Sequence, residues 1–267
     1  MSTLLGLTGV ARHFGSLRAV DGVSFAVARG GRHAVIGPNG AGKSTLFNLI
    51  GGSLRVTSGS VAFAGTEISR MPEYRRARLG IARTFQHSSV FLGESAVENV
   101  LLGVARKSGV GGRFVRPALR HRALVERCVA LLDEVGLTGR YDTPAGNLSH
   151  GERRQLEIAM ALGTEPSLLL LDEPAAGMSG AETGRFTELI AGLPREVTVL
   201  LIEHDLDVVF ELADTVTVLH LGQHLATGTP EEIRGNAEVQ QAYLGAADFE
   251  DLFGGTPIDR PSIGGTP

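Results

Sequence analysis

Gly37-Pro38-Asn39-Gly40-Ala41-Gly42-Lys43-Ser44-Thr45 decides how this chain is read. It follows a short apolar run, Ala34–Ile36, with strand character, and it opens Ser44–Ile50, which is spaced as a helix. Strand, glycine-rich turn and helix N-terminus in that order are the context in which G-x-x-x-x-G-K-[ST] cradles phosphate. The glycines let backbone N–H groups converge on anionic oxygens, and the helix N-terminus adds partial positive charge. Asn39, Gly40 and Gly42 are expected to shape the cradle. Lys43 is expected to reach the β- and γ-phosphates, Ser44 to hold Mg2+ through its hydroxyl, and Thr45 to lie at the α-phosphate. The chain has only two lysines, Lys43 and Lys107, so a lysine inside a motif carries extra information. An accidental glycine turn would match in roughly one chain in 200 of this composition, so a nucleotide with Mg2+ is the expected ligand.

Outward from this loop, the texture of the chain alternates. The first 70 residues are β-rich, with Val23–Val27 on a strand period and Gly59–Gly65 a strand leaving a turn. Ala96–Val104, Ala118–Val135 and Asn147–Leu162 are spaced as helices, the last with Ser149 as its cap, and 108–112 is a glycine-rich loop. Leu168–Leu171 and Val197–Ile202 are continuous apolar runs flanked by helical segments, the pattern of parallel strands buried on both faces. Thr215–Leu221 and His224–Gly228 are expected as late strands, and Pro230–Arg234 and Ala237–Leu244 as short helices. The segment from Ala247 is Gly/Pro-rich, holds Gly-Gly-Thr-Pro twice, and is expected to be a flexible tail without function.

Composition narrows the classes. With 267 residues, 43% hydrophobic and 20% charged, the chain can bury a sizeable core, which excludes global disorder. A net charge of -4 offers no basic field, so nucleic acid is not an expected partner. One cysteine, Cys128, excludes an intramolecular disulfide framework, and no signal peptide or membrane span is expected. Arg75, Arg76, Arg78 and Arg83 are read as a solvated basic face. His220 and His224 have the spacing of a zinc pair on a helix but flank a turn between strand-like runs, so no metal other than Mg2+ is expected.

A second acidic element supports the first. Leu168-Leu169-Leu170-Leu171-Asp172-Glu173 puts two carboxylates at the C-terminal end of a buried strand, the edge at which open α/β sheets bind ligands. Asp172 suits a Mg2+ role and Glu173 that of a general base toward water. About 20 residues before Asp172 lies Leu148-Ser149-His150-Gly151-Glu152. Here the chain resembles the ABC (ATP-binding cassette) ATPases, whose signature runs Leu-Ser-Gly-Gly-Gln; His150 and Glu152 depart from it.

Further motifs of that family fall in order. Phe14 stands where the family stacks an aromatic on adenine, with a core Phe as the alternative. Gln86 in Ala82-Arg83-Thr84-Phe85-Gln86 resembles the glutamine that reaches Mg2+ and the attacking water. Ala176-Gly177-Met178-Ser179 resembles the D-loop, with Ser179 replacing an Asp, and His204 resembles the switch histidine at the γ-phosphate. Residues 148–159, 172–178, 228–233 and 242–245 are similar to the branched-chain amino acid uptake branch, with urea uptake cassettes close by.

The resemblance implies an α/β P-loop NTPase cassette: a mostly parallel sheet lobe with an antiparallel β portion and an inserted helical subdomain. Residues 1–87 and 164–246 would form the RecA-like nucleotide-binding lobe, 88–163 the helical signature subdomain and 247–267 the tail. It implies ATP and Mg2+, with Glu173, His204 and Gln86 catalytic and with Ser44, Gln86 and Asp172 around the metal. A second cassette would offer its own Ser149 and Gly151, or their counterparts, to the γ-phosphate. Further implied partners are integral membrane permease subunits and, indirectly, a periplasmic or extracellular solute-binding protein. The location would be cytoplasmic, peripheral on the inner face of the membrane. A soluble ABC ATPase of DNA repair or translation is the alternative; the coiled coils, zinc hooks or second cassette of those proteins have no counterpart in this sequence.

Overall fold

The computed structural model describes residues 2–84, 90–107 and 121–243. Its apolar runs are shared between two cores by strand alternation. Strands β3 (Arg32–Ile36), β6 (Ile81–Arg83), β7 (Leu168–Asp172), β8 (Thr198–Ile202), β9 (Thr215–His220) and β10 (Gln223–Gly228) form one sheet in the order β10-β9-β3-β8-β7-β6. Only β10 is antiparallel to its neighbour. Every residue of β3, β7 and β8 is buried. Because side chains alternate along a strand, Leu169, Leu171, Val199 and Leu201 enter one core, and Leu168, Leu170, Leu200 and Ile202 enter the other.

The second core lies under helix α1 (Lys43–Gly51) and an antiparallel sheet, order β2-β1-β4-β5, of β1 (Thr3–Phe14), β2 (Leu17–Ala28), β4 (Ser58–Phe63) and β5 (Thr66–Glu67). The first core takes α3 (Ala96–Lys107), α4 (Arg122–Glu134), α5 (His150–Leu162), α6 (Gly180–Gly192) and α7 (Leu206–Leu212). The chain then closes with α8 (Pro230–Arg234) and α9 (Ala237–Tyr243), and a short α2 (Glu73–Arg78) precedes β6. None of the helices among the described residues is long and apolar enough to cross a membrane.

Several expected boundaries move for local reasons. The helix expected from Asn147 begins at His150, because Ala145–Asn147 is a separate 3-10 turn, Leu148 is extended and Ser149 caps α5. The strand expected to end at Leu221 ends at His220, because Leu221 turns with φ 48°. The expected start of the second helix, 118–120, and its expected end residue Leu244 in the last one lie outside the described residues.

The basic cluster is not a solvated face. Arg75 and Arg78 are exposed, but Arg76 is 1% exposed. Its guanidinium donates to the carbonyls of Leu49 (2.5 Å), Ile50 (2.7 Å), Met71 (2.8 Å) and Ser69 (3.3 Å). Leu49 and Ile50 end α1, so Arg76 satisfies carbonyls that the helix itself leaves open. Burial lowers Arg76 only to about 10, and it stays charged at neutral pH. Arg76→Leu is expected to lower stability by about 3 kcal/mol, because several buried carbonyls lose their donor. Urea unfolding of the two proteins measures this; a midpoint shift worth less than about 1 kcal/mol would remove Arg76 from the cap.

A second buried polar group makes stability depend on pH. His33 stacks on Phe25 (centroids 5.3 Å apart), and its Nε2 meets Thr217 Oγ1 at 2.8 Å. Thr217 continues to Thr227 (2.7 Å) and Thr227 to His224 (2.8 Å), which fixes His224 within the β9–β10 hairpin. Burial pushes His33 from 6.5 down to about 4. The unfolded chain protonates this ring below about 6.5 while the folded one stays neutral, so stability falls as pH drops from about 6.5 toward 4. The His33 contribution to that fall is about 3 kcal/mol at its lower end. The difference in urea midpoint between pH 7.5 and pH 5 is expected to shrink in His33→Gln; an unchanged difference would acquit His33.

Candidate nucleotide-binding site

The site is an edge at which parallel strands end. In the order β3-β8-β7 the C-terminal ends lie side by side, about 5 Å between neighbours. From β3 emerges the Gly37–Gly42 loop, from β8 Glu203 and His204, and from β7 Asp172 and Glu173. The topology therefore brings Lys43, Ser44, Asp172, Glu173 and His204 to one edge.

Backbone packing dictates the loop. Gly37 has φ 149° and Gly42 φ 98°; a Cβ would stand 2.2 Å from the Leu219 carbonyl oxygen at the first and 2.3 Å from that of Ala19 at the second. No other residue type fits either place. Asn39 and Gly40 at the loop tip are exposed, as is Ser44, while Thr45 is half-buried. Lys43 is the first residue of α1 and is buried. Its Nζ donates to the carbonyls of Gly37 (2.5 Å) and Pro38 (3.2 Å), so the ammonium holds the loop wrapped around itself. An anion entering this nest meets backbone N–H groups, a helix N-terminus and an ammonium together.

Asp172 shares the strand face of Leu168 and Leu170, the side on which α1 packs. It is 5% exposed and accepts from Arg83 Nη2 at 2.8 Å, while Arg83 Nη1 donates to Asn48 Oδ1 at 2.8 Å. Arg83 therefore belongs to the site rather than to a surface face; its place at the end of β6, just ahead of Gln86, was the available signal. Glu173 adopts φ 46°, a left-handed conformation uncommon outside glycine. Its N–H donates to the Ile202 carbonyl (3.0 Å) and its own carbonyl accepts from Ala176 (3.2 Å). His204 is exposed beside the buried Glu203. Glu203 has no spacing pattern that would single it out in the sequence.

Phe14 ends β1 and is 43% exposed, which excludes the core alternative. The Arg12 guanidinium lies 4.4 Å from its ring centroid. The hairpin that carries Phe14 returns through Ala19, which abuts Gly42. Gln86 lies outside the described residues.

His150, between Ser149 and Gly151, ties the N-terminus of α5 to the turn that follows Glu173. Ser149 Oγ accepts from Glu152 N (3.1 Å) and Glu152 Oε2 accepts from Ser149 N (2.8 Å), a reciprocal capping box. Arg140 Nε donates to the other oxygen of Glu152 at 3.0 Å. Glu152 thus stands where it does for a capping reason. Ser179 and Glu182 build the same box on α6, which accounts for Ser179. His150 Nε2 donates to the Ala176 carbonyl (3.2 Å), and Glu182 is held below its usual range chiefly by the Ser179 N–H.

A groove of about 420 Å³ opens between β6 and the helices α3 and α5, lined by Ile81, Ala82, Leu102, Gly103 and Met160, with exposed Phe91 at its rim. Among the described residues no cluster of three or more His, Cys, Asp or Glu could hold a metal alone. Mg2+ needs no such cage when it arrives with phosphates: one carboxylate and a hydroxyl suffice, and Asp172 and Ser44 fit.

The ABC transporter family matches residues 20–176, and the branched-chain amino acid ATP-binding cassette transporter family matches residues 223–248. The high-affinity branched-chain amino acid transport ATP-binding protein BraF of Pseudomonas aeruginosa is 43% identical over 251 residues, covering 91% of this chain and 98% of its own. LivG of Escherichia coli, which carries the same description, is 38% identical with the same coverage. The crystal structure of the ADP conformation of an ATP-binding cassette of an ABC transporter matches with TM-score 0.80 and 32% identity over 92% of this chain and 100% of that one. A nucleotide-free ATP-binding cassette from an ABC transporter matches with TM-score 0.77 and 30% identity over 91% and 99%. A phosphate nest at the shared strand edge, a capped signature helix and kinship along nine-tenths of its length have one common meaning: the chain belongs to the ABC transporter family, as one of its ATP-binding cassette ATPases.

Proposed function

We propose that this chain powers a membrane transporter for branched-chain amino acids, working as one of two cassettes that sandwich two ATP molecules head to tail. The observation that carries the ATPase reading is the strand edge where the Gly37–Thr45 nest and the Asp172-Glu173 pair lie one strand apart. The solute class is supported by the match over residues 223–248 and by what BraF and LivG are said to transport. It would sit at the inner face of the membrane through its permease.

Each residue then has a task. Lys43 and the loop N–H groups hold the β- and γ-phosphates, and Phe14 meets the adenine. Bound Mg2+ would neutralise phosphate charge; Ser44, Asp172 and Gln86 are the residues to hold it, Asp172 exchanging its Arg83 partner. Glu173 takes a proton from the water that attacks the γ-phosphorus, the bond to the β-phosphate oxygen breaks, and ADP and inorganic phosphate leave. His204 steadies the γ-phosphate, and Ser149 and Gly151 at the α5 N-terminus serve the phosphate held by the other cassette. The groove beside β6 takes the permease, so that closure and reopening of the pair move it.

Affinity purification of the tagged chain from detergent-solubilised native membranes, with mass spectrometry, tests this. Polytopic membrane proteins, a second cassette and a solute-binding protein that binds leucine, isoleucine or valine are the expected result. Recovery with ribosomes or nucleic acid and no membrane protein would sink the transporter and leave the ATPase standing.

A further inference from the structure

We propose that Glu203 is a positioning residue that holds His204 and the turn after Glu173 in register with each other through a single carboxylate. The inference rests on the ATPase reading above and adds to it a residue without a role there.

Glu203 follows β8, the strand between those that end in the phosphate loop and in Asp172. Its side chain is 0% exposed. Oε1 accepts from the Ala175 N–H at 2.8 Å, two residues beyond Glu173. Oε2 accepts from the His204 N–H at 3.1 Å and stands 3.7 Å from His204 Nδ1. The Asp205 N–H also helps to lower its pKa. Among the described residues it has no ion pair with an arginine or lysine. A buried acid is costly, and backbone N–H groups offset that cost here. Burial raises its pKa, while those N–H groups hold it down.

Its partners decide the matter. All of them belong to the two loops that flank the reacting end of the nucleotide, and they lie on different strand ends. A carboxylate accepts with both oxygens, so it can serve both loops at once. A glutamine has one acceptor oxygen, and its NH2 group would face an N–H across the other contact. Glu203→Gln therefore keeps the volume and releases one loop. Aspartate keeps both acceptors on a stem one methylene shorter.

The test uses the full chain in wild-type, Glu203→Gln and Glu203→Asp forms. ATP turnover, binding of a fluorescent ATP analogue, melting temperature and hydrogen exchange at single-residue resolution are measured on each. Glu203→Gln is expected to lose at least about tenfold in kcat, with KM and analogue affinity within about twofold of wild type. Exchange at Ala175 or His204 is expected to accelerate at least about tenfold with the 37–45 loop unchanged, and Glu203→Asp to recover part of kcat. A kcat for Glu203→Gln within about twofold of wild type overturns the proposal. So does a parallel fall of kcat, affinity and melting temperature, the mark of a buried acid that only supports the fold. If the wild-type chain hydrolyses no ATP, the ATPase reading fails by itself. Exchange then still decides: unchanged Ala175 and His204 amides in Glu203→Gln overturn the positioning role, and accelerated ones support it.

Discussion

Glu173→Gln is expected to bind ATP as wild type does and to turn it over about 10²- to 10⁴-fold more slowly, the range that loss of a general base costs. The argument begins with shape. Glu173 stands at φ 46°, held by its N–H on the Ile202 carbonyl and by Ala176 N–H on its own carbonyl. These are backbone contacts, which glutamine keeps. What glutamine cannot do is take a proton from water. Asp172 cannot replace it, because its carboxylate is nearly buried and, in the loaded site, is given to Mg2+. Phosphate release under single-turnover conditions reads the chemical step, and a fluorescent ATP analogue reads binding. Wild-type turnover in Glu173→Gln would remove this residue from the chemistry. Blocked turnover should also trap the ATP-bound pair of cassettes, visible by light scattering; a Glu173→Gln chain that stays monomeric with ATP would point to a different protein as its partner cassette.

The sequence was most legible where chemistry and local structure coincide. The phosphate loop announces itself because its glycines answer steric demands at fixed spacing, seen in the Leu219 and Ala19 carbonyls that crowd Gly37 and Gly42. The strands β7 and β8 were readable as apolar runs, but their division between two cores depends on register and on what packs on each face. β1 carries no clean two-residue period, because its pairing with β2 shifts register at several places. Arg75 and Arg78 follow the general rule that charges stay in water, while Arg76 and Arg83 do not. Arg76 breaks it because the ends of α1 and α2 meet, and Arg83 because β6 pairs with β7 and brings it to Asp172. The departures at Glu152 and Ser179 became intelligible only when each was seen in a capping box, and His150 when its ring was found on Ala176. Contacts between loops on different strand ends leave no trace in spacing, so Glu203 is not legible beside His204.

Lys43→Ala is expected to weaken ATP binding by at least about 100-fold while the fold persists. Two effects add. The direct one is the lost charge-assisted contact to phosphate; a hydrogen bond to an ion is worth about 1.5–3 kcal/mol, or roughly 10- to 150-fold. The indirect one is visible in the side chain's present partners. Lys43 Nζ ties the carbonyls of Gly37 and Pro38, and without it the loop must be organised at the expense of nucleotide binding. The fold is spared because β3 and α1 are anchored elsewhere: β3 between β8 and β9, and α1 through Leu46, Phe47, Leu49 and Ile50. Lys43→Arg separates the two effects, since it keeps the charge but exchanges a compact ammonium for a planar fork that the tight turn of Gly37 and Pro38 does not match. If position rather than charge governs the site, Lys43→Arg will bind nearly as poorly as Lys43→Ala in calorimetric titration with ATP. Affinity within about threefold of wild type for Lys43→Ala would show that the backbone nest holds the phosphates without the lysine.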